Sequence, residues 1–325
     1  MTSHQNTIFG KSICPLGFGT WPLGGETVLA GKSIGHTPIS DSDALGALNR
    51  AIELGVNFFD TADIYGLGAA ETLLGQALKG RRDKAVICTK FGNRELDDGT
   101  LKADFSAEWM ETCVEGSLKR LQTDRLDVLL LHGPADSTDW STFDPEPFER
   151  MVKSGKILRY GISSHSVYGA ERVLEAGIGS VTEVIYNAID RRIEEKLFAL
   201  AQQNDTFVIA RVPLAKGFIS EKYSKAKTEF PKEDHRSLIS DGEKSWMLES
   251  AQKLSFLSEL PGGMAISGLR FCLSDPRIGA VIPGMRSIPQ VEENFKAVEL
   301  GPLPQDILDR IAKAVPEVYG GWHKK

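Results

Sequence analysis

The chain has 325 residues, of which 41% are apolar and 25% charged, a globular composition that excludes a disordered, collagenous or coiled-coil protein. Its 38 Lys and Arg against 44 Asp and Glu leave a net charge of −6, so the overall field repels a phosphate backbone and excludes nucleic acid as a partner. At roughly 150 residues per domain the length allows two domains or one large α/β barrel.

Cys14, Cys88, Cys113 and Cys272 form no CxxC or Cys/His cluster. They are expected to be reduced thiols of a cytoplasmic protein, and no metal site is expected. The N-terminal MTSHQNTIFGKSICP has neither the basic start nor the apolar core of a signal peptide. The most apolar stretch, residues 126–131, is far shorter than the roughly 20 residues of a membrane helix, so no membrane association is expected.

In chain order, residues 7–15 read as a short hairpin turning at Phe9-Gly10-Lys11, able to plug the bottom of a barrel. Eight short apolar runs follow, at 16–20, 56–60, 85–90, 126–132, 160–163, 183–187, 207–212 and 280–283, with helix-length segments between them. In AAETLLGQALKG the apolar Ala70, Leu73, Leu74 and Ala77 share one helical face, and Gly80 is the expected C-terminal cap. Ser106, three residues before Trp109, is the expected N-cap of the next helix. Near-continuous apolar strands alternating with helices predict a closed parallel (β/α)8 TIM barrel, residues 1–325 forming one domain. The alternative, a doubly wound sheet, requires GxGxxG at the first βα turn, where GFGTWPLGG stands instead. Residues 216–246 are polar and densely charged, and are predicted to form a long loop after strand seven.

In such a barrel chemistry sits at the C-terminal strand ends. Asp60 ends VNFFD, Lys90 ends AVICTK, His132 ends LDVLLLH, and Tyr65 lies five residues after Asp60. Each alone has a structural explanation: a cap, a snorkelling lysine, a core histidine, a loop aromatic. Together their chemistry is complementary. A tyrosine hydroxyl, with an ordinary pKa of about 10, becomes an effective acid only if its anion is stabilised. A lysine ammonium supplies that stabilisation, a carboxylate keeps the lysine charged in an apolar rim, and a histidine orients a carbonyl.

The segments GFGTW, ALNRAIELGVNFFDTADIYG, TKFG, LDVLLLH, KILRYGISSHS, PLAKGFISEKY and VIPGMRSIPQVEEN resemble, in order and spacing, the aldo-keto reductases. The resemblance implies NADP(H) bound in extended form, with NAD(H) also possible, and reversible hydride transfer between it and a small-molecule aldehyde, ketone or sugar-like carbonyl or the corresponding alcohol. By resemblance Tyr65 is the general acid/base, Asp60 and Lys90 its tuning pair, and His132 the orienting group. By resemblance Gly19, Thr20, Trp21 and Asp60 bind the cofactor, and Ser163, Ser164 and Asn187 match positions that hydrogen-bond its nicotinamide carboxamide. Ser164 stands where the family usually has Asn. Arg211 stands where an aromatic often stacks, a role a planar guanidinium can also fill. Leu214, Lys216 and Gly217 match the stretch at the pyrophosphate, and Gly284, Arg286, Gln290, Glu293 and Asn294 match the adenosine end. Ser287 opens a helix whose start favours phosphate, and Arg286 suits a 2′-phosphate. Gln290 stands where many relatives have a second basic residue. The charged stretch resembles a cofactor-clasping loop, FPKEDHRS being its clearest piece, with Arg236 reaching the phosphates.

Trp21, Tyr65, His132 and Trp140, together with Phe91, are the expected substrate walls. Two other readings stay open: a non-turnover nicotinamide-binding regulatory subunit, and a Schiff-base aldolase acting through Lys90. The sequence assigns no oligomeric state.

Overall fold

In the run VNFFD the residues alternate between two apolar surroundings, and in the computed structural model this run supplies a barrel strand. The structure describes residues 6–8, 10–29, 31–33, 35–222, 229–231 and 234–316. Eight parallel strands form one sheet in chain order: β1 (Phe18–Gly19), β2 (Phe58–Asp60), β3 (Val86–Phe91), β4 (Leu126–His132), β5 (Ile157–Ser163), β6 (Val181–Ile185), β7 (Phe207–Arg211) and β8 (Ile278–Ile282). The sheet closes on itself through the parallel bridges Leu16 to Val281 and Gly19 to Gly284. The Gly17 N–H donates to the Val281 carbonyl at 2.8 Å, and the Gly19 N–H to that of Pro283 at 3.0 Å. A Cβ on Gly19 would stand 3.1 Å from the Ile282 carbonyl oxygen, so closure here uses a residue without a side chain. The barrel is the predicted one, and a doubly wound sheet is not formed.

Alternation along each strand sorts the side chains. Phe58, Val86, Cys88, Val128, Leu130, Val181, Ile209, Ala280 and Ile282 fill the barrel interior. The opposite parity, including Phe59, Ile87, Phe91, Leu129 and Leu131, packs outward against the helices. Asp60, Lys90, His132, Ser163, Glu183 and Arg211 continue the inward parity and therefore form a polar layer above the apolar ones.

The bottom of the barrel is plugged as expected. Strands Asn6–Ile8 and Lys11–Ile13 pair antiparallel, and Ile8 and Ile13 are buried among the inward residues at the lower strand ends. Lys11 forms an ion pair with the buried Asp127. Phe9, in the expected turn, lies outside the described residues.

Helices α1 (Asp41–Glu53), α2 (Ala69–Ala77), α3 (Ala107–Leu121), α4 (Glu146–Ser154), α5 (Val167–Glu175), α6 (Leu197–Gln203), α7 (Asp241–Lys253), α8 (Gly263–Ser274), α9 (Ile288–Leu300) and α10 (Gln305–Ala314) accompany the strands. Ser40, Ser106 and Ser287 accept hydrogen bonds from Asp43, Trp109 and Gln290 N–H groups at the starts of α1, α3 and α9, each satisfying a donor the helix cannot use.

Four expectations are corrected. Strand β5 begins three residues earlier than predicted, at Ile157, and β6 spans Val181–Ile185, leaving Asn187 beyond the strand. Helix α2 ends at Ala77 with Leu78, not Gly80, as its C-terminal cap, and Gly80 takes its positive φ of 77° in the turn that follows. The charged stretch ends sooner than residue 246, because Ser240 caps α7 and places Asp241 and Glu243 in its first turn, where the helix dipole favours acids. Residues 223–228 and 232–233 of that stretch, part of FPKEDHRS among them, lie outside the described residues, as do 317–325.

Candidate active site

The site is assembled where β2, β3 and β4 end. Lys90 is fully buried, and its Nζ donates to Asp60 Oδ1 at 2.5 Å, to the Thr61 carbonyl at 3.0 Å and to the Tyr65 hydroxyl at 3.3 Å. Burial works to strip the Lys90 ammonium of its proton, but Asp60 and Glu183 outweigh it and hold the group well above the ordinary lysine range. Burial raises the Asp60 carboxyl, and Glu183 adds to this, while Lys90 opposes both. Burial likewise raises the Tyr65 hydroxyl above its usual range, with Lys90 pulling the other way. The His132 ring meets that of Tyr65 edge-on at 5.9 Å. Burial first, then Lys90, His165 and Arg211, depress His132 far below the usual value, so it is a neutral imidazole at physiological pH.

The loop carrying Tyr65 is fixed against the segment after β1. A Cβ on Gly24 would lie 2.5 Å from the Gly66 nitrogen, and Gly66 itself has φ +62°. Two glycines thus let these backbones touch, and Trp21 stacks on Tyr65 at 6.1 Å. Thr20 donates its backbone N–H to the Asp60 carbonyl at 2.9 Å.

Along the remaining strand ends, Ser163 Oγ donates to Glu183 Oε1 at 3.0 Å. Ser164 is engaged with the Ser166 backbone. Asn187 commits its amide to local backbone, donating to the Val212 carbonyl and accepting from the Ile189 and Asp190 N–H groups. Arg211 Nη2 donates to the Ser164 carbonyl at 2.8 Å, while its buried Nε has no partner among the described residues. Immediately beyond, Val212, Ala215, Lys216 and Gly217 all have positive φ, and the Ala215 and Gly217 N–H groups close this turn on the Val212 and Leu214 carbonyls at 3.0 and 2.8 Å. Leu214 is half-buried there, and Lys216 pairs with Glu243 at 3.1 Å.

At the β8 to α9 turn Gly284 is exposed, and Gln290 Oε1 accepts the Arg286 N–H. Arg286 reaches Thr37 Oγ1 at 2.7 Å and the Pro38 carbonyl at 3.1 Å. Glu293 is exposed and Asn294 buried. Arg236 forms a two-pronged pair with the buried Asp234. His36, edge-on to Trp21 at 4.8 Å, is lowered to about 4 by burial, with Asp234 opposing and Arg236 and Arg286 reinforcing. The two arginines, from loops far apart in sequence, therefore converge beside Trp21.

Two expected substrate walls lie elsewhere. Phe91 follows the inward Lys90 and so points outward, packing edge-on against Phe105. Trp140 is buried and packs on Phe143 in the same outer aromatic cluster. Sequence reasoning missed Glu183 and the segment of His36 and Thr37. Glu183 carried a signal, a single acid inside the apolar VTEVI, whereas His36 had none.

A family model described as "Aldo/keto reductase family" matches residues 15–316. An "Uncharacterized oxidoreductase YqkF" of Bacillus subtilis is 35% identical over 268 residues, covering 81% of this chain and 84% of that protein. The solved holo form of aldo-keto reductase AKR11C1 from Bacillus halodurans superimposes with a TM-score of 0.79 at 29% identity, covering 98% of each chain. A Klebsiella pneumoniae aldo/keto reductase solved with NADP and acetate gives a TM-score of 0.68 at 25% identity, covering 94% of this chain and 92% of that one. A match across the barrel, together with a buried lysine clamped between an acid and a tyrosine, makes this chain an oxidoreductase that belongs to the aldo/keto reductase family.

Proposed function

We propose that the protein, acting as one barrel domain, is an NADP(H)-dependent oxidoreductase interconverting a small carbonyl compound and its alcohol. The observation that carries this reading is the Tyr65 hydroxyl 3.3 Å from an ammonium that is itself held by Asp60 at 2.5 Å. The residues fit a dinucleotide: the Arg211 Nε without a partner among the described residues, the Lys216 ammonium in the turn after β7 and the converging Arg236 and Arg286 are donors for amide and phosphate oxygens. Against a net charge of −6 the attraction must be local. Ser163, Arg211, Lys216, Gly217 and Arg286 are its main suppliers, with Arg236 acting from the long loop.

When bound, the nicotinamide supplies or accepts the hydride at the carbonyl carbon. The protein's own residues manage the oxygen. Tyr65 is protonated at neutral pH and donates to the carbonyl oxygen as negative charge develops there. Lys90 stabilises the resulting tyrosinate, and Asp60 keeps Lys90 charged and in place. His132, neutral, orients the oxygen without competing for the proton. Trp21, stacked on Tyr65, forms an apolar wall that suits a small substrate.

The Schiff-base alternative fails on the same geometry, because a lysine clamped between Asp60 and Glu183 stays an ammonium and is no nucleophile. A panel of aldehydes, ketones and alcohols assayed with NADPH and NADH tests the proposal. Turnover with a kcat/KM preference for NADPH is expected. Absence of turnover despite tight NADPH binding would replace the enzyme with a nicotinamide-binding regulatory subunit.

A further inference from the structure

The charge count at the top of the barrel does not stop at Asp60. Glu183, on β6, is 2% exposed, and its Oε2 lies 3.4 Å from Lys90 Nζ. Its other oxygen holds Ser163 Oγ at 3.0 Å. Carboxylate oxygens of Asp60 and Glu183, together with Cys88 Sγ, lie within 4.8 Å of one another. Two buried acids and one buried base leave one negative charge in excess if all are ionised. Like charges that close in a shielded site do not both ionise. The Lys90 ammonium bridges both carboxyl groups, so the cluster is not a cation site.

We propose that Glu183 is a positioning residue for the reaction: with Asp60 it forms a carboxyl pair that shares one proton across Lys90, and through Ser163 it ties the tyrosine–lysine side of the site to the β5 wall. The proposal rests on the oxidoreductase reading for its catalytic consequence but not for the shared proton. The titratable groups that face Glu183 are Cys88 and Lys90 from β3, Asp60 from β2, Tyr65 from the loop after β2 and His165 from the loop after β5. Lys90 is the cation placed between the two acids, and Arg211, the other cation of this inward layer, on β7, is turned to the Ser164 carbonyl. One shared proton makes the cluster neutral overall, keeps Lys90 charged beside Tyr65, and leaves Glu183 Oε1 free to accept from Ser163. Without Glu183, Ser163 and Lys90 lose their common anchor.

Glu183→Gln imitates a protonated carboxyl in shape and in its acceptor, whereas Glu183→Leu keeps neither function. Infrared difference spectra of the ligand-free protein, wild type minus Glu183→Gln at pH 8 in H2O and D2O, read the proton directly. The expected result is a deuterium-sensitive carboxylic-acid C=O band present in the wild type and lost in the variant. Steady-state kinetics should then show Glu183→Gln within about threefold of wild type in kcat, and Glu183→Leu about tenfold or more lower in kcat with a smaller change in cofactor KM. A difference spectrum without an acid band overturns the shared proton. Equal kinetics for Gln and Leu overturn the positioning role. Because the spectrum is taken without cofactor or substrate, a protein that shows the band but turns over no carbonyl would sink only the oxidoreductase reading. If Glu183→Leu fails to fold, the comparison moves to Glu183→Asp, which keeps the acid but is too short for Ser163. It should retain the band and lose kcat, and wild-type kcat in Glu183→Asp would count against the proposal.

Discussion

The two sides of the barrel mouth are built in different ways. On the β2 to β4 side, Asp60, Lys90 and His132 are the last residues of strands or lie within one of the end, and the Lys90 ammonium closes directly on Asp60 and Tyr65. On the β7 to α9 side the charges sit on loops and close on other loops: Arg236 on Asp234, Lys216 on Glu243, Arg286 on Thr37. Strand ends are fixed by ladder hydrogen bonds and by the apolar layer beneath, so they suit proton transfer, where small displacements are costly. Loops can rearrange around a long ligand at little cost to the core. The difference predicts that damage on the first side falls on kcat and damage on the second on cofactor affinity.

The largest effect is expected at Tyr65. Tyr65→Phe should lower kcat about a thousandfold while NADPH affinity, measured by fluorescence titration, stays within about threefold. Equal losses in both would erase the distinction between the two sides. Lys90→Met removes the cation between two buried acids. It should cost about 3–5 kcal/mol of stability in urea unfolding, since a broken buried pair leaves charge uncompensated. A variant as stable as wild type would mean that both acids are neutral already.

On the other side Arg286→Ala should weaken NADPH binding about ten- to a hundredfold and leave NADH binding and kcat little changed. Arg236→Ala should act in the same direction but less, speeding cofactor release, because its guanidinium is shared with Asp234. A loss of kcat with unaltered affinity in either variant would contradict the division.

The smallest effect concerns pH. Asp63, beside the tyrosine loop, is raised from 3.8 to about 7 by burial and then by Glu71, with Arg120 opposing. Between those values the folded state binds a proton that the unfolded state has released, so this group's contribution to stability falls as pH rises from about 4 to about 7 and is flat above. Asp63→Asn should therefore flatten the dependence of Tm on pH over that window. An unchanged slope would show that Asp63 is ionised throughout.

Much of the first side was legible because a strand writes its geometry into its residues. Apolar runs that end in Asp60, Lys90 or His132 announce both the strand and the rim, and parity alone separates the inward Lys90 from the outward Phe91. The wall expected at Phe91 and Trp140 was misplaced because aromatic type says nothing of direction. Loop partners were illegible for another reason: Arg286 and Thr37 are 249 residues apart, and no local pattern links them. Ser164 and Asn187 were legible as polar residues after strands, but only the fold shows their groups engaged with neighbouring backbone.

By itself, then, the order of apolar runs determined an eight-stranded barrel, the hairpin under it and the four ionisable groups at its mouth, because period, burial and strand ends are local properties of the chain. Tertiary structure alone decided that Glu183 joins Lys90 and that His36 faces Trp21 beside two distant arginines. Those outcomes depend on which side chains shear and closure bring within a few ångströms, and on how little water is left between them.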